Sequence, residues 1–120
     1  MEYTAIIHGT VPSKSNSYQI IKIAGHAQLK KKPAMQKYEE TFLWQVGKIR
    51  GAKIKTLFEF YIDVYFPSKR SDLDGCLKAV LDLLQTSDVI TNDNNCCQIV
   101  ARKFIDVSDP RVEFKIVTRD

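Results

Sequence analysis

Two aspartates, Asp72 and Asp74, stand one residue apart. Lys78 follows one helical turn later, and a third carboxylate, Asp93, comes after the intervening apolar stretch. Carboxylate oxygens are hard ligands, of the kind Mg²⁺ takes while keeping positions open for water and phosphate. Hydrolysing a phosphodiester needs an activated water, a stabilised pentavalent phosphorus and a neutralised leaving oxygen, and carboxylate-held Mg²⁺ can serve all three. Lys78 suits stabilisation of the negative transition state or positioning of the water. It suits equally an ordinary i,i+4 pair with Asp74 or Asp82, at about 0.3–0.5 kcal/mol. Asp-x-Asp is likewise a frequent opening for a helix, because the helix dipole favours negative charge there. His8 and His26 lie far apart in dissimilar contexts and take no catalytic role.

What must position these groups lies next to them. Ser71 can cap a helix, with Asp74 three residues on completing an S-x-x-D variant of the capping box. From Leu73, the residues Leu77, Val80, Leu81 and Leu84 keep the spacing of one buried face. On an ideal helix residues 72 and 74 point about 200° apart. For both to serve one ion, Asp72 must stand before the first full turn, at the corner where a strand hands over to the helix. Asp93 is harder to place. About four turns of helix carry the chain to the far end, so residues 92–96 must run back along the helix before Asp93 can join.

Leu57 to Phe66 supplies the strand. Phe58, Phe60, Ile62, Val64 and Phe66 face one way and Glu59, Tyr61, Asp63 and Tyr65 the other, the alternation of a strand with one buried face. Glu2 to His8 reads as a first strand. Thr10 to Lys32, rich in turn formers and lysines, reads as a long DNA-facing loop that a weak hairpin about Gly25 can interrupt, with Lys30, Lys31 and Lys32 as candidate phosphate contacts. Met35, Tyr38, Phe42, Val46 and Ile49 repeat at helical spacing over Ala34 to Ile49, with Pro33 in the first turn. Leu43 and Trp44 widen that face, and its aromatics read as core or subunit interface. Cys96 to Phe104 and Arg111 to Val117 are β-rich and flank a turn at Val107 to Pro110, which predicts a terminal hairpin. The order is β-α-β-α-β-β. This predicts an α+β fold, one small domain over residues 1–120, with a mixed β-sheet and two main helices packed on it.

Composition narrows the class. With 120 residues, 44% hydrophobic and 27% charged, the chain has the make-up of one soluble globular domain. No run approaches the length of a membrane helix and the start lacks the order of a signal peptide. Cys76, Cys96 and Cys97 are odd in number and two are adjacent, which suits neither a disulfide framework nor zinc spacing; they read as reduced, core or near-core thiols of a cytoplasmic protein. Charge is split along the chain. Up to Lys55 there are ten Lys/Arg against three Asp/Glu, a balance of +7, and thereafter eight against eleven, a balance of −3, together the net +4. That division fits a first half that meets a polyanion and a second that holds a cation.

Arg70-Ser71-Asp72-Leu73-Asp74, Lys78, the Ala79-Val80-Leu81-Asp82 helix and Asn92-Asp93 resemble the RusA family of Holliday junction resolvases, as does the early Pro12-Ser13-Lys14-Ser15-Asn16 element. The resemblance implies a RusA-like fold and a homodimeric, Mg²⁺-dependent endonuclease, with Mn²⁺ as a substitute ion. It would nick two opposing strands of four-way junction DNA, in DNA recombination and repair in a bacterial or phage-encoded setting, in the cytoplasm. Asp72, Asp74 and Asp93 would be its metal ligands and, with Lys78, its catalytic residues. The candidate DNA-binding residues are Lys14, Asn16, Lys30, Lys31, Lys32, Lys69 and Arg70. No other protein partner and no membrane is expected. Gly75 stands where the family usually has Asn, which weakens the first helical turn by about 0.5–1 kcal/mol. Asn92 replaces a frequent Asp and Asn95 a frequent Gln. The alternative is a catalytically weak branched-DNA-binding protein of the same fold.

Overall fold

In a computed structural model that describes residues 1–13 and 17–120, the chain forms strands β1 (Glu2–His8), β2 (Tyr18–Ile23) and β3 (His26–Lys31), then helix α1 (Pro33–Gln45). Strand β4 (Phe58–Phe66), helix α2 (Leu73–Thr86) and strands β5 (Cys96–Ile105) and β6 (Arg111–Thr118) follow. A four-stranded mixed sheet in the order β1-β6-β4-β5 is the platform, and β2-β3 make a separate two-stranded sheet. The expected α+β architecture and its element order are therefore observed.

The alternation of β4 is fully expressed, with all five predicted inward residues buried. Each such side chain gives about 1.5–3 kcal/mol on leaving water. Phe114 of β6 stacks on Phe42 of α1 with centroids 6.4 Å apart and meets Phe60 of β4 at 5.9 Å, joining the helix and the two central strands of the sheet in one core. Helix α1 packs beside β1 and α2 beside β5, so both cover the same face. The other face carries cross-strand pairs such as Arg102 with Asp63 at 2.7 Å and Arg119 with Glu59 at 3.0 Å.

Several expectations are corrected. Cys96–Ile105 and Arg111–Thr118 are not hairpin partners: β4 lies between them, parallel to β5 and antiparallel to β6. The connection passes over the end of β4, where Asp106 N–H donates to the Phe66 carbonyl at 2.8 Å. Helix α1 stops before Val46, because Gly47 takes a left-handed φ of 62° and starts a short 3-10 turn over Gly47–Ile49. Trp44 lies outside the apolar face at 86% exposure, and Cys97 is also exposed. The deep face of α2 is Cys76, Ala79, Val80, Leu83 and Leu84, while Leu73, Leu77 and Leu81 form a half-buried stripe on its shoulder. The hairpin about Gly25 is a regular one, turning at Ala24 and Gly25 with φ of 52° and 81°.

Candidate active site

The corner between β4 and α2 presents the paired carboxylates. Asp72, not Ser71, is the residue that precedes the first helical turn, with extended dihedrals (φ −96°, ψ 129°) and no side-chain capping bond. Asp74 lies in the first turn. Asp72 therefore stands before the first full turn, at the corner where β4 hands over to α2. Both residues are exposed, and neither carboxylate takes a hydrogen bond or ion pair among the described residues. The helix dipole favours negative charge at this N-terminus, and neither carboxylate is taken up by a neighbour among the described residues.

They open onto a cleft of about 1320 Å³ lined by Asp72, Asp74, Lys78, Asp82, Arg70 and, from the opposite wall, Tyr18, Gln19, Ile20 and Leu29 of the hairpin, with Pro12 and Ser13 at its base. Lys78 is 76% exposed and its ammonium lies 3.6 Å from Asp82, not paired with Asp74. A pair this exposed contributes little to stability, so the ammonium is free to turn towards an anion in the cleft. Burial first, and then the Asp82 carboxylate, hold the Tyr18 phenol above its ordinary value, which marks how closely the hairpin approaches α2.

Asp93 is elsewhere. The chain leaves α2 through Asp88 in a left-handed conformation, and Val89 and Ile90 are buried against Ile54, with Ile54 N–H donating to Val89 at 2.9 Å. Asn92 then caps a short 3-10 turn over Asp93–Asn95 by accepting from Asn94 N–H at 2.8 Å, and Asp93 N–H donates to Gln85 Oε1 at 2.8 Å. The chain does not run back along the helix before Asp93. Fourteen residues of α2 separate Asp72 from Asp93, a rise of about 20 Å. No three His, Cys, Asp or Glu side chains converge to hold a metal among the described residues. Asn92 in place of Asp thus retains a local role, as the cap of the turn that presents Asp93.

The basic residues divide as well. Lys69, Arg70 and Lys30 are exposed, and Arg70 lines the cleft. Lys31 is spent in part on Glu39, at 2.5 Å, and Lys32 sits at the start of α1. Lys14 and Asn16 lie outside the described residues.

Lys103, on β5, was not singled out by its sequence context. Its ammonium donates to the carbonyls of Lys69 at 2.9 Å and Ser71 at 2.5 Å and lies 5.5 Å from the centre of the Phe66 ring. The Ser71 carbonyl belongs to the same peptide plane as the Asp72 N–H, so this ammonium fixes the plane from which the Asp72 side chain departs. The signal that could have found it is the β-alternation of β5, which puts a charged residue on the helix-covered face opposite Val64.

A search among curated proteins returns no match. The model of the RusA endodeoxyribonuclease family matches residues 9–117. That span takes in the hairpin, the β4–α2 corner, Lys78 and Asp93. With nearly the whole of its length aligned and the paired aspartates exposed at one corner of the cleft, the chain belongs to the RusA endodeoxyribonuclease family.

Proposed function

We propose that the protein is a homodimeric, Mg²⁺-dependent endodeoxyribonuclease that resolves four-way DNA junctions by paired nicks, in DNA recombination and repair. The observation that carries this reading is the pair of exposed, unpartnered carboxylates Asp72 and Asp74 opening onto a cleft shared with Lys78 and Arg70. The donor set fits Mg²⁺, which binds through one or two carboxylates together with water and substrate phosphate. When bound, the ion would acidify the attacking water and polarise the scissile phosphate. The chain's own part is electrostatic and positional. Arg70 can hold a phosphate bidentately, while the Lys78 ammonium can leave Asp82 to face the charge that develops on the phosphorus oxygens.

Asp93 enters through the dimer. β5 is an edge strand of ten residues whose outer side pairs with no other strand among the described residues, with Ile99 and Ile105 exposed and the half-buried Leu73, Leu77 and Leu81 stripe on α2. A long apolar edge of this kind is ordinarily covered. Because β5 runs parallel to β4, its end lies at the Asp72 corner, where Lys103 reaches Lys69 and Ser71, and its start carries Asp93. Antiparallel pairing of β5 with its two-fold copy sets the start of one strand against the end of the other. The partner subunit's Asp93 then comes to the corner holding Asp72 and Asp74, in an isologous interface matched to a two-fold substrate.

The test is cleavage of an end-labelled four-way junction with Mg²⁺. Asp72→Asn and Asp74→Asn should abolish cutting while junction binding survives; undiminished cutting by either variant removes the assignment. The alternative, a branched-DNA binder with weak catalysis suggested by Gly75, is distinguished by junction binding without cleavage in the unaltered protein.

A further inference from the structure

The hairpin facing the catalytic corner has a composition that cleft geometry alone does not explain. Ile20 and Leu29 are directly paired across its two strands and are 75% and 69% exposed, with Ile23 at 51%. The hairpin carries Lys22, His26, Lys30 and Lys31 and no acidic residue. It stands apart from the main sheet, tied at its base by Lys32 N–H donating to Ser17 at 2.8 Å and by Lys31 to Glu39. Ile20 and Leu29 both line the cleft whose other wall bears Asp72, Asp74 and Lys78.

Two aliphatic side chains paired across an exposed hairpin and rimmed by polar residues form a contiguous apolar patch of the kind that marks an interaction site, and the lysines around them favour a polyanion. An occupant that is negatively charged and also presents an apolar face fits both features. Duplex DNA hides its base faces by stacking and offers them only where stacking is interrupted, and apolar wedges are the usual means of engaging such a step. A branch point is a fixed interruption of that kind.

We propose that Ile20 and Leu29 form an aliphatic wedge that packs on the unstacked bases at a DNA branch point and so sets the position of the neighbouring strand across the Asp72–Asp74 corner. The proposal rests on the nuclease reading above and adds to it the residues that tell branched from linear DNA. The lysines of the same hairpin contribute binding to any duplex, whereas the wedge contributes only where bases are exposed.

A four-way junction carrying a fluorescent adenine analogue at the branch point, or well inside one arm, provides the test, in EDTA so that no cutting intervenes. The unaltered protein should raise fluorescence at the branch and leave the arm position unchanged. Ile20→Ser/Leu29→Ser should lose that rise and bind the junction about tenfold more weakly, with linear-duplex affinity within about twofold and its salt dependence unchanged. Both side chains are exposed, so the melting temperature should hold, and Ile20→Leu should behave as the unaltered protein. Junction binding by the unaltered protein with no rise at the branch overturns the wedge and leaves the nuclease reading standing. No preference for junction over duplex overturns both. A double variant that keeps the fluorescence rise, or that loses binding only because it no longer dimerises, also overturns the wedge, the second result assigning the hairpin to a protein surface.

Discussion

Replacing Lys103 with methionine keeps the aliphatic stem and removes the ammonium that bonds Lys69 and Ser71. A hydrogen bond involving a charged group contributes about 1.5–3 kcal/mol. Lys103 is exposed, so water replaces much of that and the two bonds together should be worth about 1–2 kcal/mol. With an unfolding entropy of about 2.1 cal/mol/K per residue, 120 residues give about 0.25 kcal/mol/K. The expected fall in melting temperature is therefore about 4–8 °C. The functional effect should be larger. Freed at Ser71, the peptide plane before Asp72 can rotate, and a misplacement of about 1 Å costs on the order of a hundredfold in rate. Calorimetry supplies the first number. Junction cleavage across a Mg²⁺ titration supplies the second, with binding in EDTA as the control. A raised Mg²⁺ requirement with intact binding is the expected signature of positioning. A fall in melting temperature with the Mg²⁺ curve unmoved would refute the reasoning and leave Lys103 a stabilising clamp only.

Other consequences are checked more simply. Tyr38 is buried with its hydroxyl unpartnered among the described residues, so Tyr38→Phe should stabilise by about 1 kcal/mol and raise the melting temperature; a fall argues for a hidden partner. Burial pushes the Cys76 thiol up to about 12 from an ordinary value of 9.0. The unfolded chain therefore loses this proton first, and stability should decline as pH rises from about 9 towards 12, by up to about 1.4 kcal/mol per pH unit, a component absent in Cys76→Ala. Lys30→Ala should lower the salt slope of DNA binding by about 0.9, whereas Lys31→Ala, which strands Glu39, should act more on stability than on that slope. Mixing Asp72→Asn with Asp93→Asn subunits should restore cleavage that neither variant has alone; an inactive mixture speaks against a site shared between subunits.

Much of this fold was legible because hydrophobic alternation is a local property. β4 could be read residue by residue, and Asp72 could be put at a corner on angular grounds alone. What could not be read is pairing. A five-residue turn between two β-rich runs looks like a hairpin from either side, and only the intervening presence of β4 prevents it, a fact held in the crossover of α2 and not in residues 96–118. Trp44 was misassigned for a related reason: the apolar stripe of α1 is narrower than its count of apolar residues suggests. Lys103 is harder to read because its partners are backbone carbonyls, which every sequence possesses, and only the alternation of β5 hints at it; the position of Asp93 depends on where the chain returns, which is after Asp93 and not before it.

In the proposed dimer helix α2 would also act as a ruler. It is a rod with Asp72 and Asp74 at one tip and Asp93 beyond the other. In the proposed two-fold assembly joined along β5, the distance between the two cutting centres would be set by the length of this one rod, about 20 Å, close to the breadth of a DNA duplex. Adding or deleting a single helical turn would move both incisions at once and in opposite directions. The symmetry of the product ends would thus be written in the count of residues between Leu73 and Thr86.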